Sequence, residues 1–493
     1  MTSPGRFDTR IAIIGSGFGG LGMAIRLLQR GVRDFVVLER AREIGGTWRD
    51  NVYPGCACDV ESHLYSFSFA LNPDWSRSFS SQPEILRYLR DCAGRFGVMP
   101  HLRFGHDVRS MRWEDDAQRW RIESSAGVMT ASVVVMATGP LSDPIVPELP
   151  GIARFAGTSF HSAQWDTSCD LTGKRVAVIG TGASAVQFIP EIQRRVAQLD
   201  VYQRTPPWIL PRPDRDHTEK ERRRFRRHPM LQRLHRVQLY LQHELFVFPF
   251  RRPRLMERGQ RMAMRHLKGA IADPELRAKL TPDYTMGCKR ILLTNDYLPA
   301  LAKPNVEVIT AGIAEVREGT IVDREGVERP TDVIIYATGF RPTDPPLAAT
   351  TTGRDGRTLG EAWEGSPKAY MGTTVAGFPN FFMLLGPNTG LGHSSVVYMI
   401  EAQIEHVLKV LRHMERRGIT AMEPHPEAQR RFVSEVDTRM RGTVWTAGRC
   451  ASWYLDRTGR NSTLWPDFTW RFHRRVSRLR AGDYLARRRG AEA

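Results

Sequence analysis

Two apolar strands, each running into a glycine turn and then a helical pattern, constrain this chain more than any other feature. The first is Ile11-Ala12-Ile13-Ile14 into Gly15-Ser16-Gly17-Phe18-Gly19-Gly20, with Phe35-Val36-Val37-Leu38-Glu39 beyond the helix. The second is Val176-Ala177-Val178-Ile179 into Gly180-Thr181-Gly182-Ala183-Ser184-Ala185, with Val201-Tyr202-Gln203-Arg204 beyond. In such a unit the glycines let backbone approach a pyrophosphate at a helix N-terminus, and the end of the next strand meets the ribose. Glu39 lies 24 residues after Gly15, and Arg204 lies 24 after Gly180. A carboxylate there accepts ribose hydroxyls, whereas a guanidinium pairs with a 2′-phosphate. The first unit therefore reads as an FAD site and the second as an NADPH site. Together they predict an α/β protein with two Rossmann-like domains and the work of a flavoprotein oxidoreductase.

Two more buried-strand runs fit the same sheets. Val133-Val134-Val135-Met136-Ala137-Thr138-Gly139 and Val333-Ile334-Ile335-Tyr336-Ala337-Thr338-Gly339 both end in Ala-Thr-Gly, a strand end suited to a crossing between two nucleotide-binding domains. At 493 residues the chain has room for two or three substantial cores. The expected division is 1–140 and 342–493 for FAD, 141–212 and 287–341 for NADPH, and 213–286 as a helical insertion. The proline-rich stretch Pro140, Pro144, Pro147, Pro150 reads as a stiff crossing, and a helix is expected from Ser395 to about Arg416.

The composition, 41% apolar and 25% charged, is that of a soluble globular protein. Met1-Thr2-Ser3-Pro4-Gly5 leads into the first strand without a signal-peptide pattern, and no apolar run is long enough to span a bilayer, so a cytoplasmic setting is expected. Cys56, Cys58, Cys92, Cys169, Cys288 and Cys450 form no Cys-x-x-Cys pair and read as reduced thiols, and no metal-ligand cluster is evident. The net charge of +18 is concentrated at Arg222–Arg227, Arg251–Arg254, Arg471–Arg475 and Arg487–Arg489. Phosphorylated cofactors explain part of it. No nucleic-acid partner is expected, a weak association with membrane surfaces stays open, and the oligomeric state is not readable.

Between the fingerprints lies Phe155-Ala156-Gly157-Thr158-Ser159-Phe160-His161-Ser162-Ala163-Gln164-Trp165-Asp166. Upstream stand Gly45-Gly46-Thr47-Trp48, Tyr53-Pro54-Gly55 and Asp59, and downstream Gly287-Cys288-Lys289-Arg290. In this order the segments resemble type I Baeyer–Villiger monooxygenases over nearly the whole chain. The resemblance implies that NADPH reduces FAD, that reduced flavin binds dioxygen, and that the peroxyflavin attacks a ketone to give an ester or lactone. It makes Arg290 the catalytic arginine and Asp59 the carboxylate that orients it. It places FAD against Gly15, Ser16, Gly17, Phe18, Gly20, Glu39, Gly46, Thr47, Trp48, Asp59 and Val108. It places NADPH against Gly180, Thr181, Gly182, Ala183, Ser184, Gln187, Ala337 and Thr338, with Arg204, Thr205 and Lys289 on the 2′-phosphate. Trp453 resembles a family tryptophan near nicotinamide and substrate.

In the linker signature (Phe155, Gly157, His161, Trp165, Asp166) His161 reads as a positioning residue, because this route needs no base at the carbonyl. Two other functions are weighed against this one. The same flavin chemistry serves N- and S-oxygenases, and a nonenzymatic flavoprotein would dock on acidic surfaces through the basic clusters. A Ser394–His393–Glu401 hydrolase triad is set aside for want of a Gly-x-Ser-x-Gly elbow.

Overall fold

The first fingerprint strand, Phe7–Ile14, lies in the middle of an eight-stranded sheet, its Ile11–Ile14 end buried on one face under helices and on the other in a core shared with Trp113, Trp120 and Phe381. It pairs in parallel with Phe35–Glu39 on one side and Gly127–Met136 on the other. The hairpin strands Val108–Glu114 and Arg119–Ser124 extend the sheet outward from Gly127–Met136 in antiparallel fashion. Two late strands, Thr351–Thr352 and Phe381–Met383, return to this sheet, on Val108–Glu114 and Gly127–Met136. The structure, a computed structural model, describes residues 7–488. The opening Met1–Gly5 and Arg489 of the last basic cluster lie outside the described residues.

The second fingerprint strand, Arg175–Ile179, occupies the same position in a five-stranded, all-parallel sheet. Its neighbours are Gln198–Tyr202, ending two residues before Arg204, and Val333–Tyr336, ending at the second Ala-Thr-Gly. Thr158–His161 of the linker signature forms one edge, and Val306–Ile309 the other. The two sheets are joined by two strands of chain that run side by side. Ile145 donates its N–H to the Gly339 carbonyl at 2.9 Å, and Arg341 donates to Asp143 at 3.1 Å. Each Ala-Thr-Gly thus does two things: it abuts a glycine turn and begins a crossing.

Residues 219–279 form five helices, from Glu219–Arg227 to Pro274–Lys279. A Thr218–Glu221 capping box starts the first of them. The longest, Pro229–Leu245, docks on the first unit through polar side chains. Gln232 donates to the Asn72 carbonyl at 2.6 Å, and Arg236 to the His63 carbonyl at 2.7 Å. His243 lies 2.6 Å from the Glu61 carboxylate and 2.5 Å from the His393 carbonyl. Burial alone would lower the His243 pKa, but Glu61 outweighs it and raises it. The late helix is Val396–Arg417, capped by Ser395, and a side chain at Gly22 of the first-unit helix would crowd its Ile404 at 3.0 Å and the Phe67 ring at 2.9 Å.

Candidate active site

Both glycine turns are built for close approach. A side chain at Gly15 would stand 2.8 Å from the Ala137 carbonyl oxygen, and one at Gly180 2.5 Å from that of Ala337. Both backbones also have positive φ, +101° and +108°. The helices that follow, Phe18–Gln29 and Ala183–Gln193, begin at Gly17 and Gly182 with no side-chain cap. Their first N–H groups therefore face outward with their positive partial charge available to a phosphate. That is the fit a dinucleotide requires, twice over.

Glu39 is 4% exposed. It accepts the Ser16 N–H at 3.0 Å, the Ser16 hydroxyl at 2.6 Å and the Ala41 N–H at 2.9 Å, and it pairs with Arg49 at 2.9 Å. Burial pushes its pKa up, yet these donors outweigh burial and hold it below the usual carboxylate value. Gly46, at φ +53°, packs on Gly17, with Thr47 exposed beside it. Trp48 is buried and donates to the Tyr65 hydroxyl at 3.1 Å. Val108 is buried at the start of its strand.

In the second unit the Thr181 hydroxyl donates to the Thr205 carbonyl at 3.2 Å, tying the turn to the segment that carries Arg204. Arg204 is exposed and forms no ion pair among the described residues. Lys289 is near enough that the two repel: burial, then the Arg204 charge, lower the Lys289 pKa. Its ammonium sits 5.0 Å over the Tyr284 ring. Two neighbouring cations, only partly offset by the Asp283 charge near Lys289, suit a phosphate dianion.

Arg290 and Asp59, 231 residues apart, meet where the Gly287–Arg290 loop crosses the first unit. Nε and Nη2 of Arg290 both donate to one Asp59 oxygen, at 2.7 and 2.6 Å. Nη1 points to the Leu391 carbonyl at 3.4 Å. The Asp59 charge, against the pull of burial, raises the arginine pKa still further above its ordinary value. The Arg290 side chain as a whole keeps 28% of its surface exposed, so it is fixed yet not sealed off.

Several expected residues have their side chains engaged within the protein. The Gln187 amide carbonyl accepts from the Tyr53 hydroxyl at 3.0 Å, and its NH₂ donates to the Ala57 carbonyl at 3.0 Å. It clamps the Tyr53-Pro54-Gly55 turn of one unit to the helix of the other. The Thr338 hydroxyl donates to the Ile145 carbonyl in the partner crossing. Buried His161 accepts the Ala163 N–H at 3.0 Å, and its ring lies 5.8 Å from that of Phe340. Burial lowers its pKa, so it is neutral at the crossing. Trp165 packs between Phe160 and Phe188, each 5.2 Å away, and a side chain at Gly157 would strike the Asp332 carbonyl oxygen and the Phe155 ring. Asp166 caps its own turn at Ser168. Ser394, His393 and Glu401 form no triad: His393 faces Glu244 at 3.4 Å, and Glu401 accepts the Ser68 N–H.

One expectation is overturned. Cys288 and Cys450 are not separate thiols but a disulfide, spanning 162 residues. The pairing escapes the sequence because neither cysteine has a partner at short spacing. It forms because the Gly287–Arg290 loop folds against the segment after Trp445, where Thr285 donates to the Gly448 carbonyl at 3.1 Å. That same segment carries Trp453, 41% exposed, on Tyr454, which is buried close enough to Arg290 to feel its charge. Tyr454 was missed in the sequence; its neighbour Trp453 was the only pointer to it. Among the described residues no group of three His, Cys, Asp or Glu side chains is placed to hold a metal ion, and no helix is long and apolar enough to cross a membrane.

Comparison with known proteins agrees with this arrangement. The family model described as flavin-binding monooxygenase-like matches residues 8–351. A Baeyer–Villiger monooxygenase of Streptomyces coelicolor is 53% identical over 96% of this chain and 92% of its own. The chain belongs to the flavin-binding monooxygenase family. Among solved structures, cyclohexanone monooxygenase from Rhodococcus sp. Phi1 bound to NADP+ superposes with a TM-score of 0.88 at 29% identity, covering 98% of this chain and all of that one. The OTEMO complex with FAD and NADP gives 0.88 at 28% identity over 99% of this chain and all of that one. These likenesses extend over both sheets and the helical insertion, so the flavin monooxygenase fold holds for the full described length.

Proposed function

We propose that Arg290 is the cation this enzyme holds at the reacting oxygen atoms, with Asp59 fixing it and Tyr454 beside it. The enzyme is an FAD- and NADPH-dependent monooxygenase that inserts one atom of dioxygen into a ketone to give an ester or lactone. The observation that carries the assignment is the guanidinium held by one Asp59 oxygen at 2.6 and 2.7 Å yet left partly open.

The Gly15–Gly20 turn would hold the FAD pyrophosphate, Glu39 its ribose, and Gly46, Thr47, Trp48, Asp59 and Val108 the rest of the cofactor. Gly180–Ser184 would hold NADPH, with Gln187, Ala337 and Thr338 around it and Arg204, Thr205 and Lys289 on its 2′-phosphate. Flavin bound there takes up the reducing equivalents of NADPH and activates dioxygen for transfer. Arg290 then stabilises negative charge on the attacking and carbonyl oxygens, and being cationic at every working pH it needs no proton to do so. Asp59 keeps the guanidinium from swinging away as that charge builds, with Tyr454 buried beside it. His161, neutral and buried, holds the crossing in register rather than moving a proton. The exposed Trp453 stands at the rim, where substrate and nicotinamide would pass. A cytoplasmic setting supplies the NADPH this cycle consumes.

A ketone panel tests the reading. NADPH consumption should rise above its background with at least one ketone, and ester or lactone should appear in matching amount. Flat consumption with every ketone, alongside oxidation of sulfides or amines, would make the enzyme a heteroatom oxygenase.

A further inference from the structure

The helix Pro229–Leu245 is turned inside out. Its stripe Met230, Leu234, Val237, Leu241, Leu245 recurs at steps of four, three, four and four residues, one face of an α-helix, and every member is at least 50% exposed. A helix on a globular protein ordinarily buries such a face. Here the buried side is mostly polar: beside Leu239 and Tyr240, Gln232, Arg236, His243 and Glu244 point inward to His63, Glu61, His393 and Thr469. Those buried bonds fix the rotation of the helix, so the apolar face cannot turn inward without leaving polar groups unpaired. The exposed face continues past the helix end through Phe246 and Phe248, at 53% and 47% exposure, and on to Leu255 and Met262. Phe248 packs edge-on against Phe468, which lies beside the exposed Trp470, and Arg471 sits over both of those rings. Nine of the sixteen exposed large apolar side chains among the described residues thus fall within 230–262.

The charge around this face chooses its partner. Residues 219–270 hold fifteen Lys and Arg against four Glu; Arg236 points inward and Arg226 and Arg251 pair with Asp74 and Asp467, which still leaves a strong positive excess. Two copies of such a face would repel across any contact between them. A nucleic acid would pair with the arginines but leave the Leu and Met stripe in water. An anionic bilayer satisfies both: phosphates for the cations, acyl chains for the stripe.

We propose that the helical insertion is a docking surface for an anionic lipid bilayer, with helix Pro229–Leu245 lying in the headgroup plane. The surface is independent of which ketone the enzyme oxidises. It holds the enzyme where apolar ketones partition.

The test is co-sedimentation of the full-length, FAD-loaded protein with vesicles of phosphatidylcholine alone or mixed with phosphatidylglycerol, at about 0.15 M salt, where surface charge still acts over ~8 Å. The protein should pellet with the mixed vesicles and stay in solution with the neutral ones. The double substitution Leu234→Gln and Leu241→Gln should weaken that binding roughly tenfold or more, since each leucine loses apolar burial, with flavin content and turnover of a water-soluble ketone unchanged. Should that variant lose flavin, Met230→Gln with Leu245→Gln at the two ends of the stripe serves instead. No pelleting with anionic vesicles would overturn the proposal. So would binding that the leucine substitutions leave intact, or a dimer that those substitutions dissociate, which would make a second copy the occupant.

Discussion

The two nucleotide-binding units share a strand, a glycine turn and an uncapped helix, yet the residue 24 positions on is held in opposite ways. Glu39 is buried and already bonded to Ser16, Ala41 and Arg49, so its orientation is set within the protein alone. Arg204 is exposed and lies close enough to Lys289 that the two cations repel, with the Asp283 charge offsetting only part of this on Lys289. A carboxylate set from within suits a cofactor that stays, and a pair of repelling cations suits one that comes and goes. The turns differ in the same sense. A side chain at Gly20 would stand 1.8 Å from the Gly15 carbonyl oxygen, whereas the second turn carries Ala185, fully buried, at the equivalent place.

The sharpest way to break the comparison is Gly20→Ala. It should displace backbone in the first unit, at the upper end of the ~1–3 kcal/mol typical of overpacking, and yield colourless protein. Ala185→Gly should keep its flavin and cost about 1 kcal/mol, read as a small fall in Tm. Flavin retained at full occupancy in Gly20→Ala would mean that the first turn is looser than its geometry shows.

Arg204→Ala comes next. Loss of a charge-assisted contact worth about 1.5–3 kcal/mol should raise KM for NADPH roughly ten- to a hundredfold. KM for NADH, which lacks the 2′-phosphate, should move less than about twofold by the same reasoning. Equal effects on both would remove Arg204 from the phosphate.

The smallest effect is a pH dependence confined to the first unit. Glu39 has its folded pKa below its ordinary 4.5, so its contribution to stability is fully present above that pH and lost as pH falls through the lower folded value. Thermal unfolding followed downward from pH 5 should show a loss of Tm that Glu39→Gln lessens. Identical acid profiles for the two proteins would show that Glu39 is not held as the structure has it.

What was legible in the sequence was local or periodic. Strand, turn and next strand occupy only 29 residues in each unit (11–39 and 176–204), so the fingerprints, Glu39 and Arg204 could be found by spacing. The runs ending at Gly139 and Gly339 announced crossings, although not that Ile145 and Gly339 would bond to each other. Asp59 and Arg290 came only through family resemblance, since nothing in either segment reveals a partner 231 residues away. Cys288 and Cys450 lacked even that and were read as thiols. Gln187 and Thr338 carried a further lesson: a residue expected at a cofactor can spend its side chain joining the two units. The insertion escaped for a different reason. Its helices were plain in composition, but the rule that apolar faces turn inward is reversed in Pro229–Leu245 by buried polar bonds to Glu61 and His63 that no local pattern encodes.

The central assignment, that Arg290 serves oxygen transfer and not the reduction of flavin, is tested most directly in a single turnover of Arg290→Ala. Flavin reduction by NADPH is timed under argon, and ester is then measured after oxygen and ketone are admitted. Reduction within about threefold of the unaltered enzyme, with ester formation down roughly 10²- to 10³-fold as for loss of a preorganised charge-stabilising group, is the expected result. Ester formed at an undiminished rate would contradict it.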